Sequence, residues 1–233
     1  MPLESFFSLD TILLFYAMIG GVLPALFWLW FWMREDMLNP EPRSIIFWCF
    51  MAGIASTIIA AMLEAAVASY LSGVSMIIAW SYIEESIKLF CAYCLALRRR
   101  EFDEPTDALI YMITVALGFA ALENTLFIIK AVTANGTVAG LFIGNMRFVG
   151  ASLVHIISSS AIGGMIALSF YKTRRIKIEA VTVGLILATA LHALFNFFII
   201  QESGNYLWPL LSVVWVLTLI LLLFFERVKK ITN

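Results

Sequence analysis

Long apolar runs alternate with short polar links along the whole chain, and this alternation predicts its elements. The runs cover about Thr11 to Met33, Ser44 to Val67, Val74 to Leu97, Ala108 to Ile129, Leu141 to Tyr171, Ile178 to Ile200 and Leu207 to Phe225. About 20 apolar residues in a helix cross the hydrocarbon layer of a bilayer, where every backbone polar group must be satisfied within the protein. The pattern therefore predicts an all-α fold. It would be a polytopic transmembrane helix bundle of about seven spans, with residues 1–233 forming a single integral-membrane domain. Pro40 and Pro42 end the first span's helix in the link Arg34 to Arg43, and the link Ala68 to Gly73 carries no charge at all. Gly136, Gly140 and Gly144 recur every four residues, a spacing that predicts close helix approach. Met1 to Asp10 lacks the basic start of a secretory signal, so the first span is expected to be retained.

Composition agrees: 62% of residues are hydrophobic and 13% charged, far outside the range of soluble domains. The net charge of −1 argues against a nucleic-acid partner. The basic residues sort by side instead. Taking the links alternately, one set holds twelve lysines and arginines (Arg34, Arg43, Arg98 to Arg100, Lys172 to Lys177, and Arg227 to Lys230), and the other holds only Lys130. That asymmetry predicts a cytoplasmic C-terminus and an N-terminus outside, in a multi-pass protein of the cell membrane. Cys49, Cys91 and Cys94 lie in apolar runs and imply no disulfide framework.

What changes the picture is charge inside the spans. The stretch Ser81-Tyr82-Ile83-Glu84-Glu85-Ser86-Ile87-Lys88-Leu89 puts three ionisable groups into the third run. Each costs about 2.5–3.5 kcal/mol at bilayer centre, so they are expected to face protein or a wet cavity. Lys88 lies four residues after Glu84 and three after Glu85, within reach of both on a helix. Two carboxylates for one ammonium leave one over, which a simple packing salt bridge does not need. Counting the helical rise from the outer ends places Glu84 and Glu85 about 15 Å deep, His155 about 15–20 Å, His192 about 12 Å and Glu123 about 9 Å. Four helices thus deliver ionisable groups, including both histidines of the chain, to one layer. Each member alone has a blander reading. His192 and Asn196, one turn apart, would serve as an interhelical clamp, and His155 with Ser158 and Ser159 as polar packing. Glu123 has no basic neighbour on its own helix, and Glu64 and Arg147 sit where a span boundary could fall.

At this point the residues carry a resemblance. Glu84-Glu85-x-x-Lys88, Phe119-x-x-x-Glu123-Asn124, a solitary His155 and His192-x-x-x-Asn196, in this order on successive spans, resemble the PrsW family of intramembrane proteases. The turn Asp36-x-x-x-Pro40-Glu41-Pro42 resembles that family's acidic first loop. The wider superfamily includes the CAAX prenyl endopeptidases and CPBP-type membrane proteins. The resemblance implies an intramembrane endopeptidase in which Glu84 activates water. Glu85 and Lys88 would support it, His192 and Asn196 would hold the oxyanion, and Glu123 and His155 would complete the pocket beside Phe119 and Asn124. It implies a single-pass membrane substrate, in this family an anti-sigma factor in stress signalling.

The chemistry is coherent, because peptide hydrolysis without a covalent intermediate needs a base and donors aimed at the tetrahedral oxyanion. Glu84, Glu123, His155 and His192 would also suffice to hold zinc. There is no His-Glu-x-x-His spacing, however, and Lys88 would repel a divalent ion. A glutamate-dependent reaction with no cofactor is the expectation, with zinc as its competitor. Two other classes remain open: a proton-coupled transporter, which usually shows an internal repeat that is not evident here, and a non-enzymatic membrane adaptor or immunity protein.

Overall fold

The computed structural model describes residues 11–36, 39–200 and 207–231. The residues on which a retained first span was expected, Met1 to Asp10, lie outside them. The described residues form helices and no strand. In chain order these are α1 (Thr11–Glu35), α2 (Arg43–Ala68), α3 (Gly73–Ala92), α4 (Pro105–Asn135), α5 (Thr137–Met146), α6 (Ser152–Leu168), α7 (Arg174–Ile200) and α8 (Leu207–Val228). A π-helical turn, Tyr93–Leu97, extends α3, and a second, Arg147–Ala151, joins α5 to α6.

Five helices are long and apolar enough to cross a membrane: α1, α2, α4, α7 and α8. α3 falls outside that set because it carries Glu84, Glu85 and Lys88, and α6 is a shorter apolar helix. The fifth run, Leu141 to Tyr171, is helical through Leu168, with the π-helical turn Arg147–Ala151 inside it. Gly136 takes φ 84°, a left-handed conformation that turns the chain between α4 and α5. It therefore makes a turn, where its four-residue spacing predicted helix packing. Gly140 does serve close approach, since a Cβ there would meet the Val132 side chain at 2.1 Å.

The charged third run draws attention in the sequence, but the structural axis is α4. Every residue from Pro105 to Ala121 is buried, as expected of a helix that is apolar on all sides. α1, α2 and α6 surround it. On the α2 side the approach is backbone to backbone: a Cβ on Gly53 would lie 2.1 Å from the Val115 carbonyl, and one on Gly118 2.0 Å from that of Phe50. Small residues permit this contact, which sets α2 at a fixed height against α4. α3 and α6 both border α7, so the charged face of α3 meets the histidine-bearing faces of its neighbours.

The start of α4 is anchored electrostatically. Pro105 occupies the first turn, and Asp107 Oδ2 accepts the backbone N–H groups of Asp103 and Glu104, each at 2.9 Å. Tyr111 OH donates to Glu41 from the proline-containing link. Burial and the neighbouring Asp107 carboxyl push the Glu41 carboxyl from 4.5 up to about 9. The folded protein thus binds this proton more tightly than the unfolded chain. Its contribution to stability is complete below about pH 4.5 and is lost as pH rises toward 9. The expected result is a melting temperature in detergent that falls between pH 6 and pH 9, and a shallower fall in Glu41→Gln. An unchanged slope in the variant would remove Glu41 as the titrating group.

Candidate active site

The sequence places Glu84, Glu85 and Lys88 on one face of α3 through their three- and four-residue spacing, and the structure closes the local pairs. Lys88 Nζ lies 2.9 Å from Glu85 Oε1 and 3.3 Å from Glu84 Oε2. It also donates to His155 Nδ1 on α6 at 2.9 Å and sits 4.2 Å from the centre of the Phe119 ring on α4. This ammonium is completely buried, with two carboxylates, an imidazole and an aromatic ring as its partners.

Glu85 is the anchor of the cluster. Its Oε1 accepts from Lys88 and from His192 Nδ1–H at 2.9 Å, and its Oε2 accepts from the Ser159 hydroxyl at 2.7 Å. It is fully buried and does not line the cavity described below. The serines that sequence reading left as polar packing thus have divided fates. Ser159 fixes Glu85, whereas the buried Ser158 hydroxyl, like that of Ser160 beyond them, has no partner among the described residues.

Glu84 points elsewhere. It lines a cavity of about 270 Å³ together with His155, His192 and Asn196. Glu84 Oε2 lies 3.9 Å from His155 Nδ1 and 3.8 Å from His192 Nε2, too far for direct hydrogen bonds. The two imidazoles stand nearly perpendicular, with ring centres 4.9 Å apart. Asn196 follows one turn after His192 on α7, and its side chain makes no hydrogen bond among the described residues. Its amide is therefore available to a ligand in the cavity.

Glu123 approaches from the far side of His155, accepting from Nε2–H at 2.9 Å. It pairs with Arg147, whose Nε donates to Asn124 Oδ1 at 2.6 Å. Asn124 in turn donates to Ser152 Oγ at 3.0 Å, and the Arg147 guanidinium lies 3.9 Å from the centre of the Phe127 ring. The π-helical turn at Arg147–Ala151 brings that arginine inward, a common use of such turns.

Two cavity residues were missed by the sequence reading. Arg147 and Glu64, there assigned to possible span boundaries, both line the cavity, with Trp80 beside Glu64 donating to its backbone carbonyl at 3.1 Å. The signal was present: each is an ionisable group inside an apolar run. Of the four residues considered as metal ligands, the structure gathers three. Donor atoms of Glu84, His155 and His192 lie within 4.8 Å of one another, and Glu123 is not among them.

Comparison with known proteins gives the family. The profile described as PrsW family intramembrane metalloprotease matches residues 41–224. The chain is 21% identical to Protease PrsW of Bacillus subtilis (strain 168) over 208 residues, covering 87% of this chain and 92% of that one. It is 23% identical to Protease PrsW of Clostridioides difficile (strain 630), covering 87% and 86%. With Protease PrsW of Geobacillus kaustophilus (strain HTA426) identity is 31% over 131 residues, and that match spans 53% of this chain and only about half, 55%, of the relative. No solved structure matches. The matched region holds every cavity residue named above, and the chain belongs to the PrsW family of intramembrane proteases, multi-pass enzymes of the cell membrane.

Proposed function

We propose that Glu84 is the general base of a peptide hydrolysis carried out in this cavity on a single-pass membrane protein. The observation that carries the reading is the position of Glu84. It is held by Lys88 on one side, lies 3.8–3.9 Å from two imidazole nitrogens, and opens with them on a cavity of about 270 Å³ that has room for the attacking water. Water in that cavity gives up a proton to Glu84 as its oxygen attacks the scissile carbonyl carbon. The unpartnered Asn196 amide donates to the oxyanion that forms, joined by His192 Nε2–H when that ring is an imidazolium. Collapse of the intermediate breaks the C–N bond, and the proton on Glu84 passes to the leaving amine. Glu85 orients His192 through Nδ1–H, and Glu123 orients His155 through Nε2–H.

The asymmetry of the basic links supports seven crossings with the C-terminus cytoplasmic. The cavity lies in the half of the bundle nearer the uncharged Ala68 to Gly73 link, so in this orientation cleavage falls on the outer side of the midplane. An anti-sigma factor is the substrate class that the family resemblance implies.

A zinc-dependent reading has one observation in its favour: Glu84, His155 and His192 present a three-donor set, and each imidazole carries a carboxylate on its other nitrogen, as metal-bound histidines do. Lys88 opposes it. The Nδ1 lone pair of His155 already accepts from the ammonium, which also touches Glu84 Oε2. A dication bound by those atoms would displace or face a buried positive charge, so the residues as arranged do not fit a resident ion. Purified enzyme cleaving a co-expressed single-pass substrate is expected to keep its rate in EDTA and in 1,10-phenanthroline. Loss of cleavage on chelation, restored by zinc, would overturn the metal-independent reading.

A further inference from the structure

Away from the cavity, α3 and α7 enclose a groove of about 480 Å³ that none of the chemistry above uses. Its inner end is Ser86 and its walls are apolar, among them Leu89, Phe90 and Val181. The end where α7 begins is different, with Arg174 and Lys177 at the mouth. Neither cation has a carboxylate partner among the described residues. Lys177 lies 5.4 Å from the centre of the Phe170 ring, whereas the neighbouring Arg175, outside the groove, is paired with Glu179 at 3.0 Å. We infer that this groove is a binding site for one anionic phospholipid, its phosphate held by Arg174 and Lys177 and one acyl chain lying between α3 and α7.

Charge and size both favour that occupant. Two uncompensated cations at the end of a transmembrane groove match the phosphate of a lipid whose headgroup lies at the interface, and basic pockets between membrane helices attract such headgroups. From Ser86 to Leu97 the groove runs roughly 16 Å along α3. A helix about 10–12 Å across could seat only one face in this open groove, whereas a flexible hydrocarbon chain can lie along its full length between the apolar walls. The site adjoins the helices that carry Glu84 and His192 without sharing a lining residue with the cavity, and it does not depend on the catalytic reading.

Native mass spectrometry of the full-length protein equilibrated with equal amounts of palmitoyl-oleoyl phosphatidylglycerol and phosphatidylcholine tests the assignment. The wild type is expected to retain one phosphatidylglycerol at least tenfold over phosphatidylcholine. R174A/K177A should lose that preference, and K172A/R175A, which removes two cations outside the groove, should keep it. Thr182→Trp, which fills the groove and leaves both cations in place, should lose the retained lipid. Equal retention of both lipids by the wild type would overturn the proposal, as would an equal loss in the two double variants or undiminished retention in Thr182→Trp. So would a photoreactive side chain at Phe90 that captures a polypeptide, whether substrate or second copy, in place of lipid.

Discussion

Glu84→Gln is expected to lower cleavage of a single-pass substrate by on the order of 10²–10⁴-fold, the contribution of a positioned general base. Glutamine keeps the length of the side chain and an oxygen for Lys88 to donate to at the 3.3 Å position, so the cluster is retained and only the ability to take a proton is lost. The loss should therefore appear with little change in melting temperature. Glu85→Gln is the contrasting case. Its carboxylate accepts from Lys88, His192 and Ser159 and does not line the cavity, so its effect on rate comes through a displaced His192 and is accompanied by a lower melting temperature. The readouts are cleavage of the co-expressed substrate by immunoblot and thermal unfolding of each purified variant. A folded Glu84→Gln enzyme that cleaves at the wild-type rate would remove Glu84 from the role.

The second large effect is on folding. Lys88→Met takes away the one ammonium in contact with two buried carboxylates and leaves His155 Nδ1 without its donor. Removing one partner of a buried ion pair costs about 3–5 kcal/mol, because the remaining charge is left uncompensated away from water. Low yield and a strongly lowered melting temperature are expected. Lys88→Met combined with Glu85→Gln removes charge on both sides and should recover part of the melting temperature, yet not cleavage, since His192 and His155 lose their alignment. A Lys88→Met protein as stable as the wild type would show that the ammonium is not what balances the cluster.

Both expectations rest on residues that stand out in the bare chain, for a simple reason. A charge inside an apolar run is expensive wherever it points, so Glu84, Glu85, Lys88 and Glu123 are conspicuous before any fold is known. The same rule applied to Glu64 and Arg147, but their places near run boundaries allowed an interfacial assignment, and only the packing of α2 and the turn before α6 turned them into the cavity. The fifth run shows a similar limit. Its apolar composition predicts one helix, which the structure keeps through Leu168, whereas the π-helical turn within it and the left-handed Gly136 ahead of it are features of the backbone path.

The chain by itself determined the helical class, the membrane environment and the pairing of Lys88 with its two glutamates, because hydropathy and three- or four-residue spacing are local properties of a helix. Tertiary structure alone decided that α4 is the axis, that Lys88 reaches His155 across 67 residues, and that Glu85 holds His192 across 107. Those choices depend on which helix faces approach one another. Backbone contacts such as Gly53 against Val115 and Phe50 against Gly118 set these approaches, and no spacing within a single segment encodes them.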